Sequence, residues 1–141
     1  MPGAFPYARR YHYPHMRDED RYIWERFITG NPNIFETVDY DVAVGKRPDF
    51  STVVTAATGG DNVRIYKKKI DVVAFKGNEI FIIELKPRAG SSAFGQVLGY
   101  VELYKRDIDP SAKPVAMVIT DVLITDAEDL AKAMGVTLKI A

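Results

Sequence analysis

The chain has 141 residues, 47% apolar and 27% charged, with 19 Lys plus Arg against 19 Asp plus Glu and no cysteine. This length suits one ordinary domain with a proper core, and the composition excludes a disordered or collagen-like chain. Zero formal charge excludes a uniformly basic nucleic-acid binder, and the absence of thiols excludes disulfides and zinc–thiolate centres.

Residues 1–17, rich in Tyr, Arg, Pro and His, read as an irregular N-terminal arm ahead of a single domain over 18–141. The arm lacks the apolar core of a signal peptide and no run approaches membrane-spanning length, so the expected setting is intracellular, cytoplasmic, with no membrane partner. Asp18 is the expected N-cap of a first helix whose apolar positions 23, 24, 27 and 28 share one arc, ended by Gly30 and Asn31-Pro32. Residues 34–44 alternate like a strand, and 51–58 read as a further strand or an edge extension. Two β-rich runs, 69–75 and 79–85, flank Gly77-Asn78, a two-residue hairpin turn. A helix over 92–106 follows, capped by Ser91 or Ser92, with the stripe Phe94, Val97, Leu98, Val101 and Tyr104. A buried strand at 114–120, a helix at 125–134 capped by Thr125 or Asp126, and a strand at 136–140 complete the chain. The order α-β-β-β-α-β-α-β predicts an α/β fold with a mixed central sheet and helices on both faces.

Glu84 and Lys86 stand two apart on the second hairpin strand, so their side chains share a face. A turn at Gly77-Asn78 pairs Lys76 with Glu79 and sets Asp71 opposite Glu84, with Cβ atoms about 4.5–5.5 Å apart. Opposed carboxylates on an apolar hairpin are costly unless a cation lies between them. Mg²⁺ would satisfy both acids and leave room for water and phosphate, and Lys86 would then orient water or stabilise phosphate charge. An ordinary ion pair of Lys86 with one acid, the other at the solvent edge, accounts for the same residues.

Asp71, twelve intervening residues and then Glu84-Leu85-Lys86 resemble the D-(x)n-(D/E)-x-K signature of the PD-(D/E)XK nuclease superfamily. That group has the restriction-endonuclease-like fold and includes RecB-like nucleases and archaeal Holliday-junction resolvases. The resemblance spans about residues 18–120, and its αβββαβ core agrees with the element order read above, leaving an added C-terminal αβ unit. It implies a metal-dependent deoxyribonuclease in which Asp71, Glu84 and the Leu85 carbonyl hold Mg²⁺ or Mn²⁺ and Lys86 activates water. Gln96 and Tyr100, at i and i+4, are similar to the Q-x-x-x-Y motif of RecB-like members, which puts Gln96 by the metal and Tyr100 on the DNA. Glu25, in the first helix, stands where many members carry a further metal-site carboxylate, with Glu19 and Glu36 as substitutes. Asp71 follows Ile70 rather than proline; thirty-four residues lie between the chain's Pro48-Asp49 and Glu84, so the register favours Asp71 over Asp49.

Further basic residues offer phosphate contacts: Lys67, Lys68 and Lys69 ahead of the hairpin, Arg88 after it, and Arg9 and Arg10 in the arm. Tyr7, Tyr11 and Tyr13, interleaved with those arginines, would stack on bases or pack on their own domain or across a dimer. His12 and His15 read as packing residues before metal ligands. A homodimer is one option for a two-strand cutter. The alternative function is a non-catalytic member of the same fold that binds nucleic acid or protein.

Overall fold

The structure, a computed structural model, describes residues 3–45 and 68–141. The predicted strand at 51–58, Lys67 and Asp49 lie outside the described residues. Elements follow in the order β1 (Phe5–Pro6), α1 (Asp18–Gly30), β2 (Thr37–Val44), β3 (Lys68–Lys76), β4 (Glu79–Ala89), α2 (Ser91–Asp107), β5 (Val115–Leu123), α3 (Ala127–Met134) and β6 (Thr137–Ile140). The six strands form one sheet in sequential order. Strands β1 to β4 are antiparallel; β4, β5 and β6 are parallel, joined by the helical crossovers α2 and α3. This is the predicted mixed sheet.

The arm is less irregular than expected. Phe5 and Pro6 pair with Val38 and Thr37, adding a short edge strand that proline prevents from lengthening. Two of the three arm tyrosines pack inward: Tyr7 lies edge-on to Trp24 and Phe35, and Tyr13 is buried against Tyr40. Tyr11 alone is fully exposed.

Helix α1 begins as predicted but without the predicted cap. Arg17 is the N-cap and Asp18, Glu19 and Asp20 fill the first turn, where negative charge favours the helix dipole. Its stripe of Ile23, Trp24, Phe27 and Ile28 is buried against one face of the sheet, on Val38, Tyr40, Val72, Ala74, Ile83 and Leu85. Trp24 is fully buried, and its indole N–H donates to the Tyr40 hydroxyl at 2.9 Å, so the polar atom enters the core satisfied. Helices α2 and α3 cover the other face, where Phe94, Val97, Tyr100, Val101 and Tyr104 meet Val73, Phe75, Ile82 and Val118. Each buried side chain of this size contributes about 1.5–3 kcal/mol, so the sheet is held from both sides. Gly90, not Ser91 or Ser92, is the N-cap of α2, while Asp126 is the N-cap of α3 as expected, in left-handed backbone; neither cap makes a side-chain bond. Gly135 ends α3 at φ 75°, a conformation suited to glycine.

The hairpin turn has the expected register, from Lys76–Glu79 to Val72–Ile83. Gly77 takes φ 57°, the left-handed value that tight hairpins place on glycine. Among the described residues no helix is long and apolar enough to cross a membrane.

Candidate active site

Beyond Val72–Ile83 the β3–β4 ladder stops, and the next residues are Asp71 and Glu84. The Asp71 carboxylate takes over from the backbone there: the Leu85 N–H donates to its Oδ2 at 2.9 Å. Glu84 lies within hydrogen-bonding reach of Asp71 and is only 6% exposed. Its Oε2 is buried with no hydrogen-bond partner among the described residues. A buried, unsatisfied carboxylate oxygen beside a second carboxylate is an expensive arrangement that a protein keeps for a reason.

Electrostatics agree with the geometry. Burial first, then the hydrogen bond and charge of Asp71, push the Glu84 carboxyl well above the ordinary carboxylate range; Lys86 opposes this and Asp20 adds to it. Asp20 is pushed up to about 6, by burial and then by Asp71, against the attraction of Arg17 and Lys86. Tyr100 is raised by burial, and by the charges of Glu84 and Asp71, while the Gln96 hydrogen bond opposes the rise. Asp20, Asp71, Glu84, Lys86, Gln96 and Tyr100 therefore share one neighbourhood where α1, β3, β4 and α2 converge. The Gln96 Nε2 donates to the Tyr100 hydroxyl at 2.7 Å, joining the two motif residues of α2 directly.

Asp20 is the residue that the sequence reading passed over in favour of Glu25. Glu25 lies elsewhere: its Oε2 accepts from the Tyr13 hydroxyl at 3.0 Å, and its Oε1 stands 3.9 Å from Arg9. The substitutes are also engaged away from the cluster, Glu19 with Arg17 and Glu36 with the Gly77 N–H of the hairpin turn. A signal for Asp20 was present. It stands three, four and seven residues before Ile23, Trp24 and Phe27, so it continues the inward stripe of α1 toward the sheet.

The basic residues disperse. Lys86 and Arg88 are exposed on β4, and Lys68 is exposed at the start of β3. Lys69 pairs with Asp41 at 3.3 Å, and the His15 Nδ1 meets the same carboxylate oxygen. Arg10 lies over the Phe5 ring, 4.3 Å from its centroid. The His12 carbonyl accepts from the Arg10 Nε, a local bond within the arm.

Among the described residues, no group of three or more His, Asp or Glu side chains is placed to hold a metal ion. A metal here would rest on two carboxylates, Asp71 and Glu84. That donor set fits Mg²⁺ or Mn²⁺, hard ions that bind through one or two carboxylates while keeping water and substrate phosphate in the remaining positions. The unpartnered Glu84 Oε2 is the atom that such an ion would satisfy.

No protein-family model matches the sequence, and no curated protein matches it. Solved structures do match in shape. A repair endonuclease from Pyrococcus abyssi superposes with a TM-score of 0.50 at 16% identity, over 91% of this chain and 49% of that one. The protein of unknown function AF1548 superposes with a TM-score of 0.50 at 19% identity, over 82% of this chain and 53% of that one. The chain thus spans about half the length of either structure. The likeness shows the fold alone, a restriction-endonuclease-like fold.

Proposed function

We propose that this domain is a metal-dependent nuclease that hydrolyses DNA phosphodiester bonds. The observation that carries the reading is the end of the β3–β4 hairpin, where Asp71 and the buried Glu84 stand side by side with Lys86 next along the same strand. The resemblance of Asp71, Glu84-Leu85-Lys86, Gln96 and Tyr100 to the superfamily motifs, and the shared fold, support it.

In this reading Asp71, Glu84 and the Leu85 carbonyl hold Mg²⁺ or Mn²⁺. The ion, when bound, polarises the phosphoryl group and lowers the pKa of water. The Leu85 N–H fixes one oxygen of Asp71 and so orients the carboxylate. Lys86, exposed at the site's mouth, supplies positive charge to the phosphate and holds the attacking water. Tyr100 is oriented by Gln96, and its hydroxyl contacts the substrate backbone. Asp20 takes the role first given to Glu25, as the α1 carboxylate that accepts a hydrogen bond from water at the site. Arg88 and Lys68 lie exposed to meet neighbouring phosphates. For cutting both strands of a duplex in one encounter, a homodimer would supply the second copy of the site.

Incubation of labelled single-stranded, duplex, nicked, flap and four-way-junction DNA with and without Mn²⁺ tests the reading. Products that require metal and vanish in Glu84→Ala support it. Absence of both cleavage and Mn²⁺-induced stabilisation would move the assignment to a non-catalytic binding domain.

A further inference from the structure

Strands β2 and β3 turn over midway along their length. In a regular strand, residues of one parity keep to one face. In β2, Val38 and Tyr40 pack on the α1 side, but Val44, four residues further on, joins the α2 side, with Val42 packed against the same cluster. In β3, Ile70 packs on the α2 side while Val72 and Ala74 pack on the α1 side. The pairs Tyr40–Val72 and Val42–Ile70 bracket the inversion, and the residues between them are Asp41 and Asp71. Asp41 takes φ 56°, in the left-handed region, in the middle of a strand. Few residues other than glycine accept that value; Asp and Asn are the usual exceptions.

We infer that Asp41 is a positioning residue, whose left-handed backbone inverts the faces of β2 and β3 and so turns Asp71 out of the ladder and onto the Leu85 amide. Without the inversion, Asp71 would continue the regular β3–β4 ladder. With it, the ladder stops at Val72–Ile83 and the Asp71 carboxylate occupies the gap. Asp41 itself is held by Lys69 and His15, so its carboxylate is engaged on the arm side. The backbone, not that charge, does the positioning. The functional consequence rests on the nuclease reading; the structural one does not.

Hydrogen exchange of the Leu85 amide, followed by NMR, separates the two. In the wild type this amide is protected by Asp71. Asp41→Asn and Asp41→Gly, which tolerate left-handed backbone, keep its exchange within about threefold of the wild type. Asp41→Val, β-branched and strongly disfavoured in left-handed backbone, exchanges at Leu85 about tenfold faster or more, while Val73 and Ile82 stay protected. If Asp41→Val does not fold, Asp41→Ala carries the same comparison with a smaller shift. A Leu85 amide unprotected in the wild type, as slow in Asp41→Val as in the wild type, or as fast in Asp41→Asn as in Asp41→Val, overturns the inference. Mn²⁺-induced stabilisation, run beside it, is lost in Asp41→Val and restored in Asp41→Asn. A wild type without that stabilisation sinks the nuclease reading, while the Leu85 exchange still decides the role of Asp41.

Discussion

The two ends of the β3–β4 hairpin are built from the same strands and follow opposite rules. At the turn end, Phe75 and Ile80 pair in an unbroken ladder and their neighbours alternate cleanly between the two cores. At the other end the ladder stops, a carboxylate replaces a backbone partner, and a buried glutamate oxygen is left without one. The turn end is held by apolar pairs; the split end gathers the charges of Asp20, Asp71, Glu84 and Lys86. A strand pair can do both because packing is local: three or four well-buried pairs suffice to hold the hairpin while its last residues are given to chemistry.

Mutations at the two ends should separate cleanly. At the split end, Glu84→Ala and Asp71→Ala are expected to lower the proposed cleavage by about a hundredfold to a thousandfold, measured as metal-dependent product formation. The same site predicts a gain in stability. Glu84 is held above its ordinary value of 4.5 in the folded state, so the native protein retains a proton that the unfolded chain releases, and stability falls as pH rises above 4.5. Glu84→Gln should therefore melt higher than the wild type at pH 8, with the advantage fading toward pH 4. A lower Tm at pH 8 would break the comparison.

In the unbroken ladder, Ile82→Ala should cost about 3 kcal/mol in denaturant unfolding, through a cavity under α2. It should leave the Mn²⁺ response of the surviving folded protein intact. Tyr100→Phe removes only the hydroxyl that Gln96 holds, and should reduce cleavage about tenfold with little change in Tm. The smallest effect belongs to Asp20. Its folded pKa of about 6 against an ordinary 3.8 means that it weakens the fold progressively as pH rises through that window. Asp20→Asn should raise Tm slightly at pH 7.5 and not at all at pH 3.5, in a melting series across that range. Asp20 is partly solvated, which keeps the shift small.

The amino-acid sequence by itself determined the order of elements, the mixed sheet and the hairpin register. These depend on periodicity, turn chemistry and strand spacing, all of which are local. It also brought Asp71, Glu84 and Lys86 to one end of the hairpin, because the Gly77-Asn78 turn sets the register as far as Val72–Ile83. The tertiary structure alone decided which carboxylate of α1 joins them. Glu25 stands on the flank of the helix and is taken by Tyr13 and Arg9 from an arm whose path has no periodic signature. Asp20 reaches the site as the continuation of the inward stripe of α1, close enough to feel the charges of Asp71 and Lys86. The inversion at Asp41 was equally out of reach of pattern reading: Val38, Tyr40, Val42 and Val44 alternate as one regular strand would, and only packing on two different helices reveals that the strand has turned over.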